Sequence, residues 1–144
     1  MDLHQAILDA KLGRTRKDAQ IDTCAVFASA LYDVLQERGI PCKLVTAAYK
    51  ASPESMPSWY HEVLEHDGRL YDSMGEFSAD IYRTRAKIHP KVSFVMEYKP
   101  SGREDNFEEE FEEMHAFYVK MLSKAVDAHL TADPEEEAGP QFRR

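Results

Sequence analysis

Apolar residues recur at helical spacing in three stretches of the chain and at strand spacing in others, and this contrast predicts a mixed fold. Leu3, Ile7, Leu8 and Leu12 lie over residues 2 to 12 ahead of Gly13, the spacing of a short amphipathic helix. The second helix is better marked. Val26, Phe27, Ala30, Leu31, Val34 and Leu35 follow an Asp22-Thr23 cap, and Gly39-Ile40-Pro41 ends the run because Gly accepts a left-handed backbone and Pro cannot continue a helix. Its wide apolar face makes it the central helix. A third stripe, Phe107, Phe111, Met114, Tyr118, Met121, Leu122 and Ala125, belongs to a long helix from about residue 104 to 130.

Between these helices the pattern turns to strands. Cys42 to Tyr49 alternates loosely and is rich in Val, Leu and Ala, while Ala51 to Pro57, with its prolines and serines, reads as a loop. Trp59 to His66 and Arg69 to Ser73 flank Asp67-Gly68, a dipeptide that tolerates positive φ at both turn positions and so closes a two-residue hairpin. Counting outward from the turn sets His66 against Arg69, Glu65 against Leu70, Leu64 against Tyr71 and Val63 against Asp72, with His61 opposite Met74. Alternation then puts Trp59, His61 and Val63 on one face with Leu70, Asp72 and Met74. His61 lies diagonally from Asp72, about 7–8 Å away between backbones and within side-chain reach. A last strand is predicted at Val92 to Tyr98. The fold class expected is α+β, with a central helix packed on a small antiparallel sheet and a long C-terminal helix. One domain covers residues 1–130, and residues 131–144, which include Asp133-Pro134-Glu135-Glu136-Glu137, form an acidic flexible tail.

Composition narrows the function. A chain of 144 residues suits one domain with one real core. The net charge of −8 argues against nucleic acid as the partner, because phosphate binding requires a basic face. The charge is uneven: Arg14, Arg16 and Lys17 make a small basic patch, and residues 104 to 113 hold seven carboxylates. Neither a long apolar run nor a signal-like opening is present, so the expectation is a soluble cytoplasmic protein with no membrane partner. Two cysteines, Cys24 and Cys42, are too few for a disulfide framework and lack zinc-site spacing. His61-Glu62-Val63-Leu64-Glu65-His66 is not the zinc-protease motif, whose histidines are four apart on a helix. His115 and His129, set among carboxylates, read as solvated side chains. No metal or cofactor is expected.

The chemistry centres on Cys24. It opens the second helix, where free backbone N–H groups and the helix dipole favour a thiolate. His61 and Asp72 follow on paired strands, so the chain order is Cys, His, Asp. In such a set Cys24 attacks an acyl carbon, His61 carries the proton and Asp72 fixes the imidazole tautomer. The Cys24 N–H and the Gln20 side chain are the candidate oxyanion donors. Trp59, on the His61 face, is the candidate binding residue, and the loop of residues 51–58 and the segment of residues 73–77 are expected to border the cleft.

With these residues in this order, the chain resembles the transglutaminase-like members of the papain-like cysteine enzyme superfamily over about residues 20 to 75. The matching pieces are Asp-Thr-Cys24, the helix ending at Gly39-Ile40-Pro41, Lys43-Leu44-Val45, Tyr60-His61-Glu62-Val63 and Asp67-Gly68-Arg69-Leu70-Tyr71-Asp72-Ser73. Two details depart from the family pattern. Trp59 precedes His61, where many members have a Trp just after the His, and Asp-Thr-Cys replaces Gly-x-Cys. The resemblance implies a papain-like core and amide chemistry on a peptide or protein substrate: peptide cleavage, glutamine deamidation or acyl transfer to an amine. The alternatives are an inactive transglutaminase-like binding module, or an acidic interaction protein whose last helix docks on a basic partner or forms a homodimer.

Overall fold

The computed structural model describes residues 1–12, 24–103 and 111–132, and these form four helices and one five-stranded antiparallel sheet. In chain order the elements are α1 (Leu3–Ala10), α2 (Cys24–Glu37), β1 (Lys43–Lys50), β2 (Trp59–His66), β3 (Arg69–Asp72), β4 (Gly75–Phe77), α3 (Ala79–Arg85), β5 (Val95–Pro100) and α4 (Glu112–Ala132). The strand order across the sheet is β4-β3-β2-β1-β5.

Local chemistry explains most of the boundaries. Asp2 caps α1 by accepting from the Gln5 N–H, and the helix ends at Lys11, which takes the left-handed conformation at φ 61°, before Gly13 is reached. At the end of α2, Gly39 has φ 71°, its N–H donates to the Gln36 carbonyl, and the Ile40 N–H donates to the Leu35 carbonyl. This is the Schellman pattern, which satisfies two carbonyls the helix leaves open. Asp67 and Gly68, at φ 56° and 79°, make the predicted hairpin turn, and the ladder pairs His66 with Arg69, Glu65 with Leu70 and Leu64 with Tyr71.

The sheet is covered on both faces. Leu64 and Tyr71 join Phe27, Leu31, Leu35, Ile7, Tyr118 and Leu122 in a core shared with α1, α2 and α4. On the opposite face, by alternation, Val45, Ala47, Val63 and Phe77 form a second cluster with Trp59, Leu70, Tyr82 and Met96 against it.

Three expectations are corrected, and one helix comes with no prediction. Residues 73–77, expected to border the cleft, form a turn and the strand β4. Ser73 and Met74 turn the chain so that Asp72 pairs with Gly75 in a third hairpin strand, and Met74 is a turn residue rather than the partner of His61. Residues 79–85 form a helix, capped by the Ser78 hydroxyl on the Ile81 N–H, that has no buried side chain and therefore no apolar stripe to betray it. The last strand starts at Val95, not Val92. Arg83 holds the carbonyls of His89 and Val92, and the Val92 N–H donates to His89, so residues 89–92 are committed to a turn. His115 and His129 are bound rather than solvated, each by Nε2 at 2.8 Å to Asp33 and Asp9 respectively.

The expected start of the last helix at residue 104, most of the acidic run, the basic patch and the acidic tail lie outside the described residues. No helix among the described residues is long and apolar enough to cross a membrane.

Candidate active site

The ladder between β2 and β3 covers only the turn end of the hairpin, leaving the Trp59 to Val63 end of β2 free of β3. His61 lies in that stretch, with only 2% of its surface exposed. Its Nε2 is 2.9 Å from Oδ2 of Asp72, which is equally buried. The diagonal pair derived from the hairpin count is therefore a direct hydrogen bond. Asp72 ends β3, and its second oxygen accepts from the Met74 N–H at 3.0 Å, a short side-chain turn that orients the carboxylate as the chain doubles back into β4.

Cys24 stands at the N-terminal end of α2 and is half-buried. It meets the sheet at His61. Nε2 is committed to Asp72, Nδ1 completes no hydrogen bond of ordinary length and angle, and the Cys24 side chain is near enough to act on the imidazole. Catalytic hydrogen bonds are often long before substrate binds. Burial lowers the His61 pKa, but the hydrogen bond to Asp72, the contact with Cys24 and the charge of Asp72 outweigh it and raise the value to about 9. For Asp72, burial raises the pKa, and the hydrogen bonds and charges of His61 and Arg85 overcome that, leaving the carboxyl below its usual range. The pair is thus an imidazolium and a carboxylate at neutral pH.

Two features escaped the sequence reading. Arg85, at the end of α3, forks onto Asp72, with Nη1 at 2.6 Å from Oδ2 and Nη2 at 3.1 Å from Oδ1, and its Nη2 also donates to the Glu76 carbonyl at 3.1 Å. No periodicity marks Arg85, and only the Ser78 cap and the Asp80 that follows it hint at the helix that carries it. The second feature is an aromatic wall. Trp59 stacks on His61 with centroids 5.0 Å apart and on Tyr82 at 4.7 Å, and Phe77 lies tilted against the imidazole at 5.1 Å. These rings exclude water from His61 and hold its plane.

Of the residues singled out beforehand, Cys24, His61, Asp72 and Trp59 come together, whereas Gln20 lies outside the described residues. Cys42 is remote from this group. It faces Gln36, and burial pushes its thiol up to about 11. Two cavities, of about 340 and 370 Å³, open near the Asp67-Gly68 turn around Lys43 and Glu65, and neither is lined by Cys24, His61 or Asp72. The chemistry of the side chains, not cavity size, marks the candidate site. Among the described residues no group of three or more His, Cys, Asp or Glu is placed to hold a metal ion. No family model, curated protein or solved structure matches the chain.

Proposed function

We propose that this chain is a cysteine-dependent amidohydrolase or acyltransferase, with a papain-like core of the transglutaminase-like kind, working through Cys24, His61 and Asp72. The observation that carries the reading is a buried imidazole held by Asp72 on one nitrogen at 2.9 Å, with no ordinary hydrogen bond on the other and a helix-end thiol close by. Asp72 fixes which nitrogen carries the structural proton, so the other nitrogen serves the nucleophile.

In the first half-reaction the Cys24 sulfur attacks the acyl carbon of a peptide or glutamine amide, and a C–S bond forms. The C–N bond breaks as the leaving amine takes the proton from His61. In the second half, water or an acceptor amine adds to the acyl carbon and gives its proton to His61. The C–S bond then breaks, restoring thiolate and imidazolium. The rival, an inactive domain that only binds, draws support from the position of the cavities away from Cys24.

Iodoacetamide labelling near pH 6, followed by peptide mapping, separates the two. An active pair labels at Cys24 and slows at least about tenfold in His61→Ala, since an isolated thiol is mostly protonated at that pH. Labelling of Cys24 that ignores His61 sinks the enzyme reading.

A further inference from the structure

We infer that Arg85 is a positioning residue of this site: its guanidinium clamps both oxygens of Asp72 so that Oδ2 is aimed at His61 Nε2, and its charge limits how tightly the carboxylate holds the imidazolium. The inference rests on the triad reading and deepens it. Three observations meet on this one side chain. The fork is bidentate, at 2.6 and 3.1 Å, the geometry in which a planar guanidinium fixes the orientation of a carboxylate rather than merely neutralising it. Its Nη1 shares Oδ2 with His61, so two cationic donors compete for one oxygen. The guanidinium is itself anchored, by the Glu76 carbonyl at 3.1 Å and over the Phe77 ring at 5.8 Å, and it is mostly shielded from solvent.

Among the described residues, the groups that meet His61 come from separate elements: Cys24 from α2, Asp72 from β3, and the Trp59 and Phe77 rings from β2 and β4, with Tyr82 of α3 stacked behind Trp59. Arg85 is a cation that reaches His61 through Asp72. An imidazolium bound to a buried carboxylate alone resists giving its proton to a leaving amine. A guanidinium on the same oxygen weakens that hold, because a like charge nearby disfavours the protonated ring. It also keeps Asp72 ionised, so the tautomer of His61 is preserved through both half-reactions.

The test is a titration of the His61 imidazole by nitrogen-15 NMR in the Cys24→Ala background, which needs no substrate. Arg85→Gln keeps an amide donor toward Asp72 and removes the charge, and it is expected to raise the His61 midpoint by about one pH unit or more. An unchanged or lowered midpoint overturns the inference, because a purely structural Arg85 would alter the melting temperature and leave the titration alone. Arg85→Lys provides a second reading should the glutamine variant not fold. Lysine keeps the charge but cannot bridge both oxygens, so exchange of the His61 Nε2–H proton should quicken about tenfold or more, and unchanged protection overturns the inference. Labelling of Cys24 in the otherwise unaltered chain reports separately on the triad. His61-dependent labelling together with an unmoved titration defeats Arg85 alone, and His61-independent labelling defeats the reading beneath it.

Discussion

Cys24 and Cys42 are the same side chain in two settings, and the difference is physical. Cys42 is pushed up to about 11 by burial, with the charge of Asp33 adding to the effect and the Gln36 amide opposing it, so it remains a thiol throughout the neutral range. Alkylation near pH 7 should therefore modify Cys24 and spare Cys42, and mass mapping of the labelled peptide checks this. Asp72 carries a heavier load. Asp72→Asn keeps the shape but lets the amide present the wrong group to His61, and under the proposed mechanism any amide turnover should fall by up to about 10⁴-fold, as expected when the tautomer is lost. Asp72→Ala should also destabilise the fold by about 3–5 kcal/mol, because the Arg85 and His61 charges lose a partner buried to 2% exposure. Urea denaturation of both variants separates the effects: full turnover in the asparagine variant would reduce the triad to a Cys–His pair.

At the scale of elements, the stability of the site depends on how β4 and α1 are joined. The Glu76 N–H, on the sheet edge, donates to Nδ1 of His4 at 2.8 Å, so α1 covers the edge strand and removes an unpaired donor. Gly75 permits this approach. Its φ is 105°, and a Cβ there would lie 2.4 Å from His4 Nδ1. Gly75→Ala should therefore cost more than about 1 kcal/mol, through both backbone strain and loss of the His4 bond. Part of that penalty should vanish in a His4→Ala background, where only the backbone strain remains, and a double-mutant cycle by thermal denaturation measures the share. Elsewhere Arg103 forks onto Asp33 at 2.9 and 2.8 Å, and His115 reaches the same carboxylate at 2.8 Å, tying the segment after β5 and α4 to the central helix. The surface pair Arg38–Asp127 also joins α2 and α4, but with Asp127 half-exposed its removal should change stability by no more than about 1 kcal/mol.

For the whole molecule, the shifted groups set a pH window. His61 is raised from 6.5 to about 9, so its contribution to stability is complete below pH 6.5 and is lost as pH rises through about 9. Asp72 and Asp33 are shifted the other way. Their contributions are present above the ordinary carboxyl value of 3.8 and are lost as pH falls through their depressed folded values. Melting temperatures should thus be highest in mildly acidic to neutral solution and decline on the alkaline side. His61→Ala should flatten that alkaline decline, and a decline that persists unchanged assigns it to another group. Trp59, the only tryptophan, reports on the site from within, because its ring is stacked on the His61 imidazole. Carboxamidomethylation of Cys24 should change its emission, and unchanged emission would separate Trp59 from the chemistry.

What the sequence determined by itself is what short-range physics controls. The Asp67-Gly68 turn admits positive φ at two adjacent residues, and that alone sets the register of the hairpin and hence the His61–Asp72 pair. Gly39-Ile40-Pro41 likewise ends α2 where its hydrogen-bonding requires. Periodic apolar spacing marked the helices that bury a face, α1, α2 and α4, because burial is what imposes the period. Elements without a buried stripe left no such trace. The three residues of β4 are too few for alternation to register, and α3 buries no side chain. Their places are decided by contacts between elements: the ladder with β3 and the His4 bond for β4, Asp72 for the end of α3. Alternation along β2 had already put Trp59 on the His61 face, but tertiary packing alone brought Cys24 to His61, set Phe77 against that ring and supplied Arg85. A hydrogen bond or ring contact between residues far apart in sequence depends on how whole elements dock, and nothing in the spacing of side chains along one element encodes the docking of another.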